Sequence, residues 1–156
     1  MHNLSADLRL WFVSRNSCLL HNGPSGAISG PAFTPDHAFI VLRTVLKSKL
    51  HRATITDANI NYEGSITIPT DLMEAADIWD GEKVLVTSVT SGARLETYVI
   101  PGPAGSGQIV INGAAAHLIN TGHMVTIMAW GLSAEPVKPL RLLLDAQNKI
   151  VPKKVL

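Results

Sequence analysis

From residue 41 onward the chain is built of short apolar runs, rich in β-branched side chains, separated by Gly, Pro, Asn and Asp. The stretch 41–56 has neither Gly nor Pro and predicts a strand. Alternation with a period of two sets Val45, Lys47, Lys49 and His51 on one face and Leu46, Ser48, Leu50 and Arg52 on the other. Asp57–Asn61 predicts a turn-prone break, and Ser65–Ile68 a second, short strand. Pro69 and Thr70 open a predicted helix running to Asp77, with Thr70 as N-cap and with Asp71 and Glu74 near the end where the helix dipole favours anions. Asp80-Gly81 predicts a turn.

Lys83–Val89 and Ala93–Ile100 flank Ser91-Gly92 and predict a β-hairpin. A flexible loop is expected over 101–107, then a strand over Gln108–Ile111, a short Ala-rich helix over Gly113–Leu118 and a strand over His123–Trp130. Leu140–Leu144 predicts a last strand before the polar Asn148-Lys149 turn. Many short strands with two short helices point to a mainly β fold, a small barrel with helical insertions.

Residues 1–40 have a different texture. Their only Asp, Glu, Lys or Arg residues are Asp7, Arg9, Arg15 and Asp36, and Gly-Pro-rich breaks interrupt them at 23–26, 29–31 and 34–35. They are expected to form a disordered N-terminal extension without chemistry, leaving 41–156 as the folded domain. A secretory signal is excluded there, because Asp7 lies in the n-region and Arg9 and Arg15 interrupt the apolar stretch.

Composition narrows the function. The chain has 156 residues, of which 46% are hydrophobic, enough for a sizeable core, but only 5% are aromatic, so that core must rest on Val, Ile, Leu and Ala. A net charge of +1 offers no basic field for nucleic acid. No apolar run reaches the roughly 20 residues that a membrane-spanning helix needs, so no membrane partner is expected. The single cysteine, Cys18, cannot close an internal disulfide, in keeping with a cytoplasmic location.

Two familiar site types are set aside. The glycine-rich segment 102–107 resembles a phosphate cradle, but Gly107 is followed by Gln108 and a strand, not by Lys-Ser/Thr and a helix. His51, His117 and His123 lack the spacing and the cysteine neighbours of a metal site. Gly64-Ser65 offers rarer chemistry. A serine that follows a glycine can attack the preceding carbonyl, since no Cβ obstructs the strained turn this needs. An ester then replaces the amide, and elimination followed by hydrolysis converts the serine into a pyruvoyl group. Gly-Ser pairs are common in ordinary turns, so surrounding residues must decide.

They do so through a resemblance. Leu42–Thr56, Tyr62-Glu63-Gly64-Ser65, Gly92–Tyr98 and Asn112–His117 resemble, in order and spacing, the aspartate 1-decarboxylase family, over Val41 to about Trp130. Family members typically begin with Met where this chain has Val41. The upstream residues are therefore expected to be an extension of the kind that a start site set too early would produce. After Trp130 the sequence departs from the family pattern, and no function is carried onto that tail.

The resemblance implies a double-psi β-barrel with short helices, assembled as a homotetramer with sites at subunit boundaries. It implies a zymogen that cuts itself between Gly64 and Ser65, leaving a β chain that ends at Gly64 and an α chain whose Ser65 has become pyruvoyl. That carbonyl would capture L-aspartate as a Schiff base and accept the electrons left when CO2 departs, giving β-alanine for pantothenate synthesis. Tyr98 matches the proton donor. Lys49 and Arg94 match cationic contacts to the substrate carboxylates, although both also read as ordinary exposed strand charges. Thr97 matches a residue of substrate binding and processing. Gly113, Ala114 and Ala115 match a segment whose backbone N–H groups could meet an anion, and Asn112 and His51 are supporting residues. A maturation factor is a possible further partner. Arg94 and Tyr98 alternate to one strand face and Thr97 to the other, so one flat strand cannot place all three in one pocket without a bulge, a strong twist or a shared site.

Two other readings compete. Ser65–Val86 resembles the strand–helix–strand unit of AbrB-type swapped-hairpin DNA-binding barrels, yet it carries Asp71, Glu74, Asp77, Asp80 and Glu82 against Lys83 alone, the wrong charge for a polyanion. A processing-dead barrel scaffold is the other, and it would run as one band rather than two.

Overall fold

The computed structural model describes residues 40–152. Apart from Ile40, the expected N-terminal extension lies outside the described residues.

Nine strands in this region form one mixed sheet. They are β1 (Arg43–Thr54), β2 (Asp57–Asn59), β3 (Ser65–Pro69), β4 (Lys83–Ser88), β5 (Arg94–Gly102), β6 (Val110–Asn112), β7 (Met124–Ser133), β8 (Leu140–Leu144) and β9 (Ile150–Val151). Helix α1 (Thr70–Ala76) follows β3, and a 3₁₀ helix (Gly113–His117) follows β6. The mainly β class expected from the sequence is the class observed.

The spatial order is β2-β6-β3-β5-β4-β7-β1-β8-β9. Closure follows from chain connectivity: β2 lies at one end of that row, yet it is the continuation of β1, two residues on. Ile55 and Thr56 make the link, donating their N–H groups to the carbonyls of His123 (2.9 Å) and Ile109 (2.8 Å). The pairs β1/β8, β2/β6 and β3/β5 are parallel, whereas β1/β7, β4/β5, β4/β7 and β3/β6 run antiparallel. Ile55, Ile66, Ile68, Val84, Val86, Val99, Ile109, Ile111, Val125 and Ile127 are all buried in the interior. β-Branched side chains fit the pleated surface and supply the core that the scarce aromatics cannot.

Four sequence expectations need correction. Alternation places Arg52 beside the buried Leu50, but a bulge at Arg52 (φ 64°) turns its side chain to solvent and hands the interior position to Ala53. Asp57–Asn59 is not a break: it pairs with β6, because a three-residue ladder needs little apolar signal when its neighbours supply the core. Thr70 is the first helical residue and not the cap; Pro69 (φ −54°, ψ 137°) holds the cap position with no side-chain hydrogen bond. The 113–118 segment is a 3₁₀ helix ending at His117.

The tail is built into the barrel. β8 lies parallel to β1 from Ser48↔Leu140 to His51↔Leu143, and β9 pairs with β8. Asn148, almost fully buried and with φ 59°, accepts the Thr54 N–H at 2.7 Å. Its amide also donates to the carbonyls of Thr54 and Gly107, both at 2.8 Å. Among the described residues, no helix is long and apolar enough to cross a membrane.

Candidate active site

Ser65 opens β3 at the point where three elements converge. It is fully buried and sits opposite Asn112, the last residue of β6. The Asn112 side-chain amide donates to Ser65 Oγ at 2.9 Å and to Thr67 Oγ1 at 3.0 Å. Ile66 and Ile68 point into the core from the opposite face of the same strand. Period-two alternation thus lines up Ser65 and Thr67 under one amide.

Gly113 follows Asn112 at φ 65°, a conformation that favours glycine. A Cβ there would lie 2.8 Å from Gly64 Cα and 3.0 Å from the Tyr62 carbonyl oxygen. The backbone of the Gly64-Ser65 junction therefore rests directly on the backbone at 113. The 3₁₀ helix begins there, so Ala114 and Ala115 stand beside the junction.

Strand β5 supplies the other wall. Its ladder with β3 starts at Ile66↔Val99, so Ser65 and Tyr98 are the next residues back along the two strands. Before that point β5 pairs only with β4, leaving its other edge open toward Gly64. A cavity of about 430 Å³ lies along this edge, lined by Gly64, Leu95, Glu96, Thr97, Tyr98, Asn112, Ala114, Ala115 and Leu118. Its size suits a small metabolite. The free edge also resolves the alternation problem. Side chains from both faces of β5 reach the same cavity because no neighbouring strand separates them, so no bulge in β5 is needed to bring Thr97 and Tyr98 together.

The structure thus brings together Gly64, Ser65, Thr97, Tyr98, Asn112, Gly113, Ala114 and Ala115. It does not bring three other sequence candidates to them within this chain. Arg94 is an exposed β5 residue paired with Thr87, outside the cavity lining. Lys49 lies on β1 between Met128 and Arg141, with β4 and β7 separating β1 from β5. His51 is on the same strand, its Nδ1 3.3 Å from Thr126 Oγ1. Its pKa is lowered from 6.5, first by loss of hydration around the ring and then by the neighbouring charges of Lys49 and Arg52.

Among the described residues lining the cavity there is no Lys or Arg, and the one charged group, Glu96, is engaged by Lys83 at 3.1 Å. Thr67, which shares the Asn112 amide with Ser65, was missed by the sequence reading. The signal that finds it is its i+2 spacing from Ser65 on one strand face.

Fold and site together define a mixed β-barrel in which a buried serine, preceded by an exposed glycine, lies beside a small cavity along one strand edge. The aspartate decarboxylase family model matches residues 41–151. An aspartate 1-decarboxylase of Moorella thermoacetica is 56% identical over 112 residues, 69% of this chain and 88% of that protein. One of Corynebacterium efficiens is 54% identical over 115 residues, 71% of this chain and 85% of that protein. One of Heliobacterium modesticaldum is 51% identical over 113 residues, 70% of this chain and 86% of that protein. The chain belongs to the aspartate decarboxylase family. The match runs on to residue 151, so the segment after Trp130, set apart in the sequence reading, is part of the family module.

Proposed function

We propose that this chain matures by cutting itself between Gly64 and Ser65 and then decarboxylates L-aspartate to β-alanine and CO2 in the pathway to pantothenate. The observation that carries the reading is the buried Ser65 hydroxyl, held by Asn112 next to a glycine whose backbone is pressed against Gly113.

In the maturation step Ser65 Oγ bonds to the Gly64 carbonyl carbon, the Gly64–Ser65 C–N bond breaks, and the hydroxyl proton passes to the freed nitrogen. The Asn112 N–H steadies negative charge developing on Oγ. Removal of the Ser65 α-proton then expels Gly64 as a carboxylate. Tautomerisation and hydrolysis of the remaining enamine release ammonia, leaving a ketone at position 65.

The residues present fit a serine-derived pyruvoyl group: an alcohol to be eliminated, a preceding glycine, and a cavity beside the junction. Such a group supplies an electrophilic carbonyl and an electron sink for the departing carboxylate. Thr97 and the backbone of the 3₁₀ helix start would position the substrate, and Tyr98, on the cavity wall, would return a proton to its α-carbon.

Two substrate carboxylates need cationic partners, and among the described residues the cavity lining offers none. This supports assembly as a homotetramer in which a neighbouring copy completes the site, with Lys49 as the contributed cation and Arg94 brought in by the same contact. Whether an accessory maturation factor is needed is decided by incubating purified protein alone. The test of the whole reading is Ser65→Ala: the chain should stay uncut and release no CO2 from aspartate, and activity that survives the change would refute it.

A further inference from the structure

We propose that Thr67 is a positioning residue for maturation, its hydroxyl anchoring the Asn112 amide so that one amide hydrogen stays aimed at Ser65 Oγ. The inference rests on the reading that the Gly64-Ser65 junction cleaves itself, and adds to it a residue that touches neither the scissile bond nor the cavity.

The Asn112 side-chain amide is the pivot of this arrangement. Its nitrogen has two hydrogens in one plane, about 120° apart, and two acceptors lie within reach: Ser65 Oγ at 2.9 Å and Thr67 Oγ1 at 3.0 Å. The broad torsion of an Asn side chain is weakly held by its own stereochemistry. With one hydrogen on Thr67, rotation about that torsion breaks a second bond as well as the first, so the direction of the hydrogen on Ser65 is fixed from outside. A misdirected donor costs rate even when the site is otherwise whole.

Thr67 is itself rigidly placed. It is flanked in the sheet by Ile100 on β5 and Val110 on β6, and its methyl group fills the space above Gly102, where a Cβ would come within 2.9 Å of it. The side chain therefore does two separable things: the methyl packs and the hydroxyl anchors.

The separation gives a crossed test on the full-length chain. Thr67→Val keeps the methyl and puts a second in place of the hydroxyl acceptor, whereas Thr67→Ser keeps the hydroxyl and removes the packing. The rate of Gly64–Ser65 cleavage, followed by intact mass, should fall about tenfold or more in Thr67→Val and stay within about threefold of wild type in Thr67→Ser. Thermal stability should show the opposite order, with Thr67→Ser the less stable. Equal cleavage in Thr67→Val and wild type, or cleavage that simply tracks stability across both variants, would overturn the proposal.

A second measurement reads the anchor without cleavage. In the uncut chain the two Asn112 side-chain amide hydrogens should exchange with solvent at least about tenfold faster in Thr67→Val than in wild type or Thr67→Ser. Unchanged exchange removes the anchor. If the wild-type chain never cleaves, the maturation reading fails on its own, and amide exchange still decides whether Thr67 holds Asn112.

Discussion

Gly113 and Gly64 meet backbone to backbone: a Cβ at 113 would stand 2.8 Å from Gly64 Cα and 2.9 Å from Gly64 N. The peptide proposed to break is thus seated against a residue that has no side chain and holds φ 65°. Gly113→Ala must both adopt a left-handed backbone, at about 1–2 kcal/mol, and push the junction away. Self-cleavage is expected to slow by about a hundredfold while the barrel still folds, since small misplacements at a reacting centre cost that much. Intact mass against time, with a melting curve on the same sample, checks it.

Sharing of the site between copies is tested by complementation. Lys49→Ala alone should lack its substrate cation and Ser65→Ala alone its electrophile. Co-expressed in equal amounts, the two chains should regain about a quarter of wild-type activity, because that share of randomly assembled sites receives both intact residues from different copies. Sites complete within one chain would show no recovery.

Asn148 predicts a stability effect remote from the cavity. The three hydrogen bonds of its side chain tie the turn before β9 to the end of β1 and the loop after β5. Asn148→Ala leaves buried backbone groups unpaired and places alanine at φ 59°, so a loss of about 3 kcal/mol is expected in denaturant unfolding of the full-length chain.

Protonation of His51 should weaken the fold. Its pKa is lowered from 6.5, so below that value the unfolded chain binds the proton more readily than the native one. Stability is therefore retained above pH 6.5 and falls as acid takes the pH down through the lowered native value. His51→Gln should flatten this part of a melting-temperature profile, and Lys49→Ala should shrink it by removing a neighbouring charge. An unchanged slope in His51→Gln would assign the effect to other groups.

Much of the fold was legible because strand periodicity and turn residues are local signals. β1, β3, the hairpin of β4 and β5, and β7 all follow from them. The Arg52 bulge and the β2 ladder failed because both depend on neighbours distant in sequence, whereas the start of α1 differs only by a local shift of the cap from Thr70 to Pro69. The site was legible to the same extent. Ser65 and Thr67 share a face by simple alternation, and alternation also sets Thr97 and Tyr98 on opposite faces of β5; what it cannot show is that β3 starts too late to cover that edge, so that both reach one cavity. The separation of Lys49 and His51 from the cavity is likewise a matter of strand order, which local pattern does not encode.

Accurate mass of the purified protein, without added factors, decides whether the Gly64–Ser65 bond cuts itself. Two fragments are expected, one ending at Gly64 and one starting at position 65 and lighter by one ammonia than a serine terminus would make it. A preparation that turns aspartate into β-alanine while its Gly64–Ser65 bond stays whole would contradict it.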